Sequence, residues 1–167
     1  ALDTGSGLLS SIPASRSQPL SALAEVTQHP RGGQLVIAGT GKYFEGSDKE
    51  GSANRQSLYG FWDQTDYLAH VDGAGSPAVL SKLADLQRQT LSEETVNHSG
   101  GSTRVRQLSS ERVAWDSSGK RGVGIRGWYF DLADSEMILD QPFMLGDVLF
   151  VTVSQPNADP CSAGITY

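Results

Sequence analysis

The feature that most restricts this chain is how short its apolar runs are. Leu35 to Ala38, Leu58 to Trp62, Gly127 to Leu132 and Val148 to Val153 are rich in aliphatic, aromatic and β-branched side chains, and turn-forming residues separate them. Such runs suit strands. The segment Gln28-His29-Pro30-Arg31-Gly32-Gly33 lies between Leu20 to Val26 and Leu35 to Ala38. There Pro30 cannot donate to a ladder and two glycines permit a reversal, so these two runs read as a hairpin.

The rest of the chain carries the same stamp. Residues 1 to 12 read as a strand end, an Asp-Thr-Gly turn and a new strand, and Glu45 to Gln56 as a surface loop of small and polar residues. From Ala78 to Glu94, Val79, Leu80, Leu83 and Leu86 stand near helical spacing, which predicts a short helical turn leading into a strand. Asn97 to Ser102 is a polar break. Beyond it, Thr103 to Leu108 and Arg112 to Trp115 alternate at period two, as half-buried strands do. About nine short strands with almost no helix result, an all-β chain of sandwich or propeller type. No internal repeat is clean enough to count blades, although YGFWD and WYFDL share an aromatic-then-Asp ending.

Composition narrows the functions. With 167 residues, 38% of them hydrophobic, the chain has one domain's length and enough apolar material for a core. Its net charge of −6 comes without a basic cluster, which argues against nucleic acid as partner. No apolar stretch approaches the roughly 20 residues a membrane helix needs. The chain opens at Ala1 without a charged, then apolar, leader, so any export signal is expected to have been removed or to lie upstream.

Sites of chemistry are scarce in the sequence. His29, His70 and His98 fall in expected loops without a second His or Cys at metal-ligand spacing, and so read as surface histidines. Gly39-Thr40-Gly41-Lys42 lacks the spacing of a phosphate loop and reads as a strand end. Asp48, Glu50 and Asn54 share one polar loop but not the alternation of a calcium loop. Glu93 and Glu94 are adjacent, so on a strand they face opposite sides and cannot act as one acid-base pair. No Gly-x-Ser-x-Gly occurs. Trp62, Trp115 and Trp128 read as core fillers, with a sugar-stacking platform as the other reading. Catalytic, cofactor and metal residues are all expected to be none.

Four segments taken in order, LVIAGTGKYF at 35–44, QSLYGFWD at 56–63, RGWYFDL at 126–132 and PNADPCSAG at 156–164, resemble the C-terminal propeller domain of the PilC/PilY family of type IV pilus tip adhesins and assembly factors. With LQRQTL at 86–91 between them, the resemblance spans almost the whole chain. After GWYFDL the family shows Gly-Glu-Arg, where this chain has Asp134-Ser135-Glu136-Met137. The resemblance implies a partial β-propeller of about three blades with long loops, since a closed ring takes ~4 to 8 blades of ~40 to 50 residues. It also implies a parent protein longer at both ends, with an upstream region often like a von Willebrand A domain and an Asp-rich calcium loop further on.

No cofactor is then expected in this segment, with calcium elsewhere in the parent. The implied role is non-catalytic pilus biogenesis, adhesion and twitching, in a protein exported to the periplasm, outer membrane or pilus tip. Implied partners are pilins or minor pilins, or a host-cell receptor, with Asp48, Glu50 and Asn54 as a contact loop. Lone Cys161, in a Pro-rich loop of an exported protein, is expected to bridge to a cysteine outside the segment. Two other readings remain: a quinoprotein-like propeller oxidoreductase, which would need calcium ligands and paired cysteines, and a carbohydrate-binding β-sandwich.

Overall fold

In the computed structural model the described residues are 18–44, 48, 55–63, 85–115, 125–157 and 164–166. All elements formed among them are strands: β1 (Glu25–Gln28), β2 (Gln34–Gly39), β3 (Ser57–Asp63), β4 (Leu86–Gln89), β5 (Leu91–His98), β6 (Gly101–Leu108), β7 (Gly127–Asp131), β8 (Phe143–Leu145), β9 (Val148–Phe150), β10 (Ser154–Gln155) and β11 (Ile165–Thr166). The all-β expectation holds for these residues. One five-stranded sheet runs β1-β2-β3-β7-β4, antiparallel except for the β4–β7 pair. Three two-stranded ribbons, β5–β6, β8–β9 and β10–β11, complete the set.

The expected hairpin is β1–β2, closed by Gly32 at φ 87° and Gly33 at φ 74°, which only glycine adopts without strain. Its first strand begins at Glu25 rather than Leu20. Leu20 instead bridges in parallel to Gly41, where the Gly41 N–H donates to the Pro19 carbonyl at 2.8 Å and the Ser21 hydroxyl to the Gly41 carbonyl at 2.7 Å.

The central strand β3 is covered on both faces. Ile37, Leu58, Leu132 and Ile138 form one core, joined by Trp128, Phe130, Met144 and Leu149. Tyr59, Leu86 and Tyr129, with Phe61, form another. Alternation along β3 explains the division, because Leu58 and Tyr59 point to opposite sides of the pleat. Opposite Gly60 the register places Trp128, and the missing side chain is what admits the indole: a Cβ there would lie 2.4 Å from the ring.

Leu86 to Gln89 is strand β4, the strand into which the helical turn is expected to lead; it pairs with Gly127 to Phe130 and buries Leu86, and residues 78–84 lie outside the described set. Two other expectations change. The polar break shrinks to a turn at Ser99-Gly100, and the β5–β6 ribbon it joins is mostly exposed rather than half-buried. Arg112 to Trp115 is not a strand. The Gln89 side chain donates to the Glu111 carbonyl at 2.6 Å and accepts from the Glu111 N–H at 3.1 Å, filling backbone positions a ladder would use, and only Trp115 bridges, to Ile125.

Candidate functional site

The most developed polar site lies where β3 begins and β7 ends. Their register sets Ser57 beside Asp131. The Ser57 hydroxyl donates to Asp131 Oδ1 at 2.7 Å and accepts from Gln18 Nε2 at 2.8 Å. Gln18 in turn accepts from the Tyr59 hydroxyl, and its Nε2 also reaches the Arg55 carbonyl at 2.8 Å. Burial pushes the Tyr59 hydroxyl far above its ordinary range, so it stays a neutral donor in this chain of bonds. The network fixes Asp131 from behind.

In front of Asp131 opens a cleft of about 380 Å³, bounded by Arg88 from β4, Glu93 from β5, Arg106 from β6, and Arg55, Leu132 and Ala133. Arg88 Nη2 stands 3.7 Å from Asp131 Oδ2, and Arg55 Nη2 3.1 Å from Asp134 Oδ1. Arg106 is held harder. Its Nη2 lies 2.5 Å from Glu136 Oε1, on a carboxylate 1% exposed, and 3.2 Å from Glu93 Oε1. The bond to Glu136, ahead of all else, raises the Arg106 pKa. Glu136 Oε2 also accepts from the Ala133 N–H at 3.0 Å, so this ion pair ties the base of the β5–β6 ribbon to the turn after β7.

Each arginine faces a carboxylate, which leaves a recess rich in directional donors without a single-sign field. Among the described residues no three His, Cys, Asp or Glu cluster in a way that could hold a metal ion.

The residues singled out in the sequence lie elsewhere. Asp48 turns into its own loop, pairing with Lys42 Nζ at 2.9 Å and accepting from the Phe44 N–H at 2.9 Å. Glu50, Asn54, His70 and Cys161 fall outside the described residues. Gly39 ends β2, and Thr40 then bonds both the N–H and the carbonyl of Ser57, as suits a strand end. His98 is exposed, with Nε2 2.9 Å from the Thr103 hydroxyl. His29 differs from its reading as a surface residue. It is buried, stacked on Trp62 at 4.2 Å and edge-on to Trp115 at 4.5 Å, and burial with nearby Arg31 lowers its pKa. Trp62 and Trp115 thus pack around a histidine, and Trp128 lies in the core on the sheet.

No family model and no solved structure matches the chain. Among curated proteins it is 34% identical over 162 residues to the type IV pilus biogenesis factor PilY1 of Pseudomonas aeruginosa, with 89% of this chain and 14% of the relative covered in strain UCBPP-PA14, and 90% and 13% in PAO1. A PilY1 homologue of Xylella fastidiosa is 25% identical over 161 residues, covering 91% of this chain and 9% of that protein. The chain therefore spans about one-seventh or less of the length of these relatives.

Proposed function

The chain is a PilY1-like type IV pilus sequence, matching one segment of those biogenesis factors, and from that premise we propose that it serves as a non-catalytic contact module of an exported pilus biogenesis and adhesion protein. The observation that carries this reading is the match itself, 34% identity over nine-tenths of the chain. The strands formed by the described residues support a second part of the proposal: the segment is a sector of a larger β-propeller, completed by other parts of a longer polypeptide. Its partners are pilins or minor pilins, or a receptor on a host surface.

The element best placed to meet them is the β5–β6 ribbon, eight residue pairs long and exposed over most of its length. The test compares bacteria lacking the parent gene with bacteria whose parent carries Val96→Ser and Val105→Ser, two exposed ribbon positions. Gene removal should abolish surface pili, twitching and pilus-dependent adhesion. The ribbon variant should lose one of these at normal protein abundance. Unchanged piliation, twitching and adhesion without the gene overturn the pilus reading; a fully active ribbon variant overturns the ribbon as the contact.

A further inference from the structure

We propose that the outer face of the β8–β9 hairpin is a docking surface for a protein segment that carries apolar side chains edged by Lys or Arg. The register pairs Phe143 with Phe150, Met144 with Leu149 and Leu145 with Val148. Period two then sorts the side chains: Met144 and Leu149 turn inward onto the core of Ile37, Leu58, Leu132 and Ile138. The other four turn outward. Phe143 is 52% exposed, Leu145 68%, Val148 56% and Phe150 42%, and the two phenyl rings stack at 4.9 Å with planes 6° apart. A strand that covers a core on one face normally shows polar residues on the other. Here every outward position is apolar, so the face lacks the character of a solvated surface.

Charge selects the occupant. From Gly127 to Tyr167 the chain has Asp131, Asp134, Glu136, Asp140, Asp147 and Asp159 and no Lys, Arg or His. Asp131, Asp134 and Glu136 of that stretch pair with Arg88, Arg55 and Arg106, which leaves Asp140 and Asp147 as its described carboxylates beside the hairpin. Asp147 lies in the turn between β8 and β9, Asp140 three residues before β8, and both are exposed. A second copy would bring the same carboxylates against these, and like charges across an interface are costly. The four side chains also expose on the order of 400 Å², about half the ~800 Å² per partner of a stable interface. An anionic membrane is disfavoured by the same sign rule. A basic-edged apolar segment satisfies both the face and its rim.

The inference stands independently of the pilus reading, and purified chain tests it. Two labelled synthetic peptides share a core of alternating Val and Thr and differ only in their flanks, Lys in one and Glu in the other. Fluorescence anisotropy should show the Lys-flanked peptide binding at least about tenfold tighter, an advantage that shrinks as NaCl rises from ~50 to ~500 mM. Leu145→Thr/Phe150→Thr, checked for an unchanged circular dichroism spectrum, should abolish the binding. Failure of both peptides to bind, equal binding, or undiminished binding to the double variant overturns the proposal. So does concentration-dependent dimerisation, or co-sedimentation with phosphatidylcholine–phosphatidylglycerol vesicles, that the double variant removes; these would assign the face to a second copy or to lipid.

Discussion

Gly60→Ala probes a close approach of backbone to side chain in the core. A Cβ at this position would lie 2.4 Å from Trp128 Cε2, 2.6 Å from Cζ2 and 2.7 Å from Nε1, where carbon atoms in contact stand about 3.5–4.0 Å apart. Relief requires a movement of about 1 Å by the strand or the ring. The strand is paired on both sides, Gly60 with Ile37 and with Trp128. The ring lies parallel to Phe130, 6.3 Å away and 5° from coplanar, and packs against the Ile37 core. Overpacking of this kind costs about 1–3 kcal/mol, and with neither side free to move the upper half of that range applies. Alanine recovers about 0.5–1 kcal/mol of glycine's unfolded-state entropy, so the net loss should be about 2 kcal/mol. Urea denaturation followed by circular dichroism would read it as a lower midpoint at unchanged slope. If the ring is the obstacle, Gly60→Ala added to Trp128→Leu should cost at least about 1 kcal/mol less than the two single losses together. A single variant within about 0.5 kcal/mol of the parent, or strict additivity, would refute the close approach.

Two further outcomes follow from the charged groups. Arg106→Ala strands the buried Glu136 carboxylate and should cost about 3–5 kcal/mol in the same denaturation assay, whereas Glu93→Ala, at the exposed end of the pair, should cost under about 1 kcal/mol; similar losses from both would contradict the burial assigned to Glu136. Because the folded pKa of His29 is depressed below 6.5, the unfolded chain binds the proton more readily in that interval, so stability should fall as pH drops from about 6.5 through the folded value. His29→Phe should flatten this part of the pH–stability curve, and an identical slope in both proteins would show that His29 is not the titrating group.

The strands with the densest aromatic and β-branched content were legible in the sequence, since β2, β3 and β7 need only their own side chains to favour extension. What escaped depends on residues far apart. β4 could be placed only as a strand following a helical turn, and its partner, Gly127 to Phe130, lies far along the chain. His29 reads as a loop residue until Trp115 arrives; Arg31 Nη1, two residues on, donates to the Trp115 carbonyl across 84 positions at 3.3 Å. The cleft is illegible for the same reason, being assembled from Arg55 before β3 and from β4, β5, β6 and β7, whereas Asp48, Glu50 and Asn54 stand together as contiguous polar sequence. Nor does alternation say which face of a hairpin meets the core. The run from Val148 is plainly a strand, yet only the pairing of β8 with β9 shows Val148 and Phe150 turned to solvent.

The β5–β6 ribbon combines exposure over most of its length with anchorage at its base, and that pairing bears on how it presents a surface. A two-stranded ribbon is marginal alone in water, and this one has little apolar burial: of β5, only Leu91 at its base is better than mostly exposed. Its order is therefore supplied from the base. There Arg106 reaches Glu136, the Ser109 N–H donates to the Thr90 carbonyl at 2.8 Å, and the Ser109 hydroxyl bonds Gln89 Oε1 at 2.7 Å. These contacts are made by Gln89, Thr90, Arg106 and Ser109, so Val96 and Val105, which make none of them, can change without disturbing either core. Substitutions at Val96 and Val105 should thus leave the denaturation midpoint close to the parent's while altering any surface the ribbon presents. Arg106→Ala, by contrast, should loosen the whole ribbon at once. That separation lets a loss of pilus function in the Val96/Val105 variant be assigned to contact rather than to folding.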